Sequence, residues 1–144
     1  MTPAEHHQLA DYVRAVGYDM NLSGWTIRVK REPAQPNAGA DVMVYRARWI
    51  AELRVADRFF SESHAEQREL IVHELLHVHL DRMDTAYNCV EELIGTPAFT
   101  VLSSAYRTAE ELSIDALTTI LAPIMPLPSW DEADAVTDYV DAHP

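Results

Sequence analysis

The sequence predicts an α+β fold on three observations. Trp25 to Lys30 alternates strictly between apolar and polar residues, two further strand-like runs follow a proline-rich loop, and two long helical patterns open on N-terminal capping signals. The expected order is an N-terminal helix, a small three-stranded antiparallel sheet, a capped central helix and a long C-terminal helix.

Each element has its own signal. Residues 4–16 place Leu9, Tyr12, Val13 and Val16 at helical spacing, with Gly17 as the expected stop. Trp25, Ile27 and Val29 share one face of the first strand. Residues 32–41, with two prolines and a glycine, read as a loop. Val42–Tyr45 and Trp49–Val55 read as strands, the second with Trp49, Ala51, Leu53 and Val55 on one face. Ser63-His-Ala-Glu66 is a capping box that opens a helix expected to run to about His79. A shorter helical piece is expected over 86–94, ended by Gly95, and Thr96-Pro97 pairs an N-cap residue with proline at the first helical position. The long helix should then reach about Leu121, where Pro123 stops it, and residues 123–130 descend irregularly through three prolines.

A chain of 144 residues fits one domain with one sizeable core, so residues 1–144 are read as a single unit with an acidic tail from about residue 129. Asp131, Glu132, Asp134, Asp138 and Asp141 in that tail read as a solvated run. The net charge of −12 repels phosphate backbones and gives no reason to dock on an anionic membrane, so neither nucleic acid nor membrane is an expected partner. The opening residues have neither a basic nor an apolar region of the secretory kind, and the single cysteine, Cys89, suits a reducing, cytoplasmic setting. Cys89 is expected to be a buried small hydrophobe, and His6, His7, His64 and His143 plain surface residues.

The chemistry sits in the capped helix, at His73-Glu74-Leu75-Leu76-His77. Positions four apart differ by about 40° and about 6 Å, so both imidazoles reach one ion. Glu74 projects about 100° from His73, beside the ion without binding it, where it can accept a proton from activated water and pass it to a leaving group. Catalytic zinc takes three protein ligands, which leaves one to find. Asp81 keeps the four-residue rhythm but lies about 12 Å along the axis from His73, and three ligands up one helix cannot surround a tetrahedral ion. The candidate is Glu111 in Glu111-Leu-Ser-Ile-Asp115 on the long helix, with Asp115 one turn on to accept a ligand histidine's ring N–H. Glu110, Glu91 and Glu92 are weaker competitors. His79 points about 200° away from His77 and reads as structural or exposed.

The pair formed by HELLH (73–77) and EELSID (110–115) resembles the gluzincin branch of the zincin metallopeptidases, the thermolysin-like arrangement. The resemblance implies a minimal zincin-like fold, one Zn2+ per chain held by His73, His77 and Glu111, Glu74 as general base and Asp115 as the residue orienting a ligand histidine. More narrowly, residues 25–128 are similar to compact metallopeptidase-like proteins common among phages and prophages, on phrases such as 58–80 and 115–128. The implied substrate is a peptide or protein, added as an extended strand to an exposed sheet edge in the Val42–Val55 region. Tyr87 and Tyr106 are candidate oxyanion donors, with core packing as the competing role. The rival from another class is a non-catalytic zinc-binding structural or adaptor module. Cleavage specificity and oligomeric state are not encoded in any motif.

Overall fold

A computed structural model describes residues 1–130; the acidic residues 131–141 and His143 fall outside the described residues. The fold is α+β. Helix α1 (Pro3–Asp19) is followed by strands β1 (Thr26–Val29), β2 (Ala40–Tyr45) and β3 (Ile50–Val55), then by helices α2 (His64–Asn88), α3 (Glu91–Ile94) and α4 (Thr96–Leu121). Among the described residues, no helix is long and apolar enough to cross a membrane.

The sheet corrects the expected antiparallel arrangement. Its order is β1-β3-β2, with β1 parallel to β3 and β2 antiparallel to it. The loop at residues 30–39 carries the chain past the place for β3, from Val29 opposite Leu53 to Ala40 opposite Val55. The return is tight: a 3-10 turn at Arg46–Arg48 and left-handed Trp49 (φ 53°) join β2 to β3. Trp49 therefore leaves the buried face of Ala51, Leu53 and Val55 and is exposed, packed on Trp25. Because β3 is central, β2 is an edge strand, and it packs against α2.

Helix α1 starts on a full capping box between Thr2 and Glu5. It passes through Gly17 to Asp19 instead of stopping there. Gly17 is buried, and a Cβ on it would meet Ile27 Cδ1 at 3.0 Å, so the glycine lets α1 approach β1. Left-handed Asn21 (φ 59°) redirects the chain after the helix. His6, expected at the surface, is half-buried with Nε2 3.0 Å from the Val29 carbonyl.

The core lies between α1, the sheet and α2. Leu9, Val13 and Val16 of α1, Leu53 of β3, Phe59, and Ile71, Val72 and Leu75 of α2 are all at most 1% exposed. Helix α2 runs nine residues past its expected end, to Asn88, and carries the cap predicted for it at Ser63. Helix α4 begins one residue early, with Gly95 (φ 77°) as its N-cap. Cys89 caps the far end of α2 outside the core and is exposed, not buried. Helix α4 packs chiefly on α2 and buries only Glu110, Ile114 and Thr118 along its length.

Candidate metal centre

The α2–α4 pair is laddered in opposite chain directions: Asp84 meets Arg107, His77 meets Glu111, and His73 meets Glu111 and Asp115. The turn through Val90–Gly95 sets that register. It converts two i, i+4 patterns, legible separately, into one site. His73 Nε2 lies 3.5 Å from Glu111 Oε2, and His77 Nε2 lies 3.5 Å from Glu111 Oε1. One ligand atom from each of the three residues falls within 4.8 Å of the others.

These spacings suit a metal better than a hydrogen-bonded cluster. Hydrogen bonds to carboxylate oxygen run about 2.7–3.2 Å. A tetrahedral ion with bonds of about 2.0–2.1 Å separates its ligand atoms by about 3.3 Å, close to the two 3.5 Å values. The donor set also fits zinc chemically: two imidazoles and a carboxylate. Burial lowers the pKa of His77 against the opposing pull of Glu111, which favours the neutral imidazole a metal needs. His73 turns its other nitrogen, Nδ1, toward Asp115 Oδ1 at 3.3 Å. The register of the two helices thus brings Asp115, one turn beyond Glu111, beside His73.

Glu74 is 7% exposed and lies against the edge strand. Burial pushes its carboxyl up to about 8, the charges of Asp41 and Glu111 push the same way, and a hydrogen bond from the Val42 N–H opposes them. This carboxyl is thus tied to β2 by backbone and held in a range suited to taking and returning a proton near neutrality.

Above these residues opens a cavity of about 530 Å3, lined by β2 from Ala40 to Val44, by His73, Glu74, His77 and Glu111, and by Asp81, Asp84 and Arg107. Among the described residues Arg107 is the one lysine or arginine in its lining. Its Nη1 is held by Asp84 Oδ1 at 3.1 Å and by Glu110 Oε2 at 3.0 Å. Glu110, a competing ligand on sequence grounds, is buried and ion-paired with Arg107. Asp81, rejected as a ligand, pairs with Arg46. Tyr87 and Tyr106 stack on each other at 4.1 Å, and neither is in the cavity lining. The Tyr106 phenol, pushed up to about 12 by desolvation and by Asp84, bonds Asp84 instead. His79 braces the fold, with Nε2 2.7 Å from the Met20 carbonyl.

Sequence reasoning missed Arg107, Asp84 and Asp41. Arg107 had a signal, since it stands one turn before Glu111 in the same rhythm as Asp115. The other two became visible only with the helix register and the sheet order. The chain matches no protein-family profile, no curated protein and no solved structure.

Proposed function

We propose that the chain is a zinc-dependent metallopeptidase of gluzincin type, built on a minimal zincin-like fold and working in a reducing, cytoplasmic setting. The observation that carries the reading is the convergence of His73, His77 and Glu111 at 3.5 Å spacings beside a buried Glu74 that meets the edge strand β2. One Zn2+ held by those three residues would supply a Lewis acid that polarises the scissile carbonyl and lowers the pKa of water.

The chain's own residues do the rest. Asp115 fixes the tautomer and orientation of His73. Glu74 takes a proton from the attacking water as the new C–O bond forms, and delivers it to the amine as the C–N bond breaks. The free edge of β2 offers backbone groups to an extended peptide, which aligns its carbonyl over the site. Arg107, rather than either tyrosine, is the cation available on the cavity wall to oxygen charge developing during attack. A closed structural zinc site would need a fourth protein ligand, whereas among the described residues the converging group has three members and opens on a cavity.

Two variants test the reading. Glu74→Gln should retain one zinc per chain by elemental analysis while peptide hydrolysis falls by about 10²–10⁴-fold; full activity in that protein would remove the base. Glu111→Ala should lose most of its zinc after dialysis. Unchanged zinc content would place the third ligand elsewhere.

A further inference from the structure

Helix α4 turns two unlike faces to its surroundings. Its four charged residues, Arg107, Glu110, Glu111 and Asp115, fall within about 140° of the helix circumference, on the side that meets α2. The remaining arc of about 220° carries no charge along all of its about seven turns. Within it Val101, Ala105, Ala109, Leu112, Ala116 and Ile120 lie inside about 100° of one another. All six are exposed, Val101 at 73%, Leu112 at 65% and Ile120 at 68%. A groove of about 740 Å3 runs over this face, lined by Val101 and Leu112 and by the smaller side chains of Ser104, Ala105, Thr108 and Ala109 between them. A charge-free apolar strip of this length, open to water, marks an interaction surface.

Charge and register both favour a second copy of the chain as the occupant. At a net charge of −12 two copies repel, and close approach costs least where neither brings a charge. The outer face of α4 is such a place on both. It is also its own complement. Laid antiparallel on a copy of itself, it sets Val101 opposite Ile120, Ala105 opposite Ala116 and Ala109 opposite Leu112, each pair evenly spaced about a point between residues 110 and 111. That is the arrangement a twofold axis requires. Leu112 of each copy then falls on the small side chains of the other's groove, and the alanines let the two axes close. A strip about 15 Å wide along a helix about 39 Å long is on the order of 600 Å2 per copy. The pair therefore buries about 1,200 Å2, where specific interfaces begin.

We propose that this face of α4 is the interface of a homodimer, with the two copies of α4 antiparallel about a twofold axis level with residues 110 and 111. The opposed directions also set the helix dipoles favourably against one another. The metal centre lies on the α2 side of α4, away from the interface, so the dimer does not rest on the peptidase reading. Because no charges pair across the interface, the association tightens as salt screens the repulsion between acidic copies.

Analytical sedimentation of the full chain should show twice the mass of one chain at about 100 µM, with dissociation by about 1 µM. The dimer should be tighter at about 0.5 M salt than at about 0.05 M. Leu112→Glu and, separately, Ala105→Glu should each weaken it by at least about tenfold, with helix content by circular dichroism unchanged. Disulfide formation under copper–phenanthroline, in a Cys89→Ser background, reads the register. Ala105→Cys combined with Ala116→Cys should give a covalent dimer, since the two positions lie about 16 Å apart within one helix and cannot join there. Either cysteine alone should give none. A chain that stays monomeric at about 100 µM, or a dimer indifferent to both glutamates, overturns the proposal. So does a monomer whose thermal midpoint falls with either glutamate, because the face is then covered within one chain. Self-joining of the Ala105→Cys variant alone overturns the antiparallel packing.

Discussion

Gln67 is fully buried, and its side-chain amide makes two hydrogen bonds to other parts of the chain. Nε2 donates to the Phe59 carbonyl at 2.8 Å, and Oε1 accepts from Trp130 Nε1 at 2.8 Å. One polar residue in an apolar core thereby pins both the turn before α2 and the last described residue of the chain. Gln67→Leu keeps the volume but strips the half-buried Trp130 indole N–H of its partner, which costs about 1–3 kcal/mol, and leaves the Phe59 carbonyl only the Glu62 N–H at 3.2 Å. The expected loss is about 1–3 kcal/mol in denaturant unfolding, with Trp130 emission shifted in the folded state. A change below about 0.5 kcal/mol would mean that water already serves these groups. Glu74 shows the same rule at the site, where one backbone N–H from Val42 decides where the carboxylate sits.

At the scale of elements, the helices were legible because their signals are local. The Ser63–Glu66 box closes as the sequence implies: Ser63 N–H donates to Glu66 Oε2 at 2.9 Å, and Glu66 N–H donates to Ser63 Oγ at 3.3 Å. Ser63→Ala should cost about 1 kcal/mol at neutral pH. The Ser63 hydroxyl and backbone N–H hold the Glu66 carboxyl below its ordinary value. A depressed pKa adds stability above the unfolded value and loses it as pH falls through the folded one. The Ser63→Ala penalty should therefore shrink in acid, read as converging thermal midpoints of the two proteins. A pH-independent gap would detach the cap from Glu66. The sheet order was not legible, because alternation in Trp25–Lys30 and Trp49–Val55 reports which face is buried and not which strand is the neighbour. The crossing at 30–39, which puts β1 parallel to β3, has no local signal in the residues that make it. For the same reason Tyr87 and Tyr106 could be matched with the site by distance in sequence, yet the pair stacks together outside the cavity.

Taken as a whole molecule, α4 is weakly attached for a helix of 26 residues. Ile114 is its one fully buried apolar side chain, while Val101, Leu112 and Ile120 are each at least 65% exposed. What crosses from α4 to α2 in the middle of the pair is mostly polar: Arg107 to Asp84, Glu111 to both histidines, Asp115 to His73. Without a metal, exposed or half-exposed pairs of this kind contribute little. A zinc ion bound there would tie the two helices directly, and ligand binding to the folded state adds RT ln(1 + [L]/Kd), about 2.7 kcal/mol at a hundredfold excess over Kd. Zinc should therefore raise the thermal midpoint by on the order of 10 °C over chelator-treated protein. Amide exchange should slow first along residues 107–118 and in the facing turns of α2, with α1 and β1 hardly changed. Glu111→Ala should abolish both responses. A zinc-dependent shift that survives in Glu111→Ala, or protection confined to α1 and the sheet, would put the metal somewhere other than between these helices, and the proposed chemistry would lose its base.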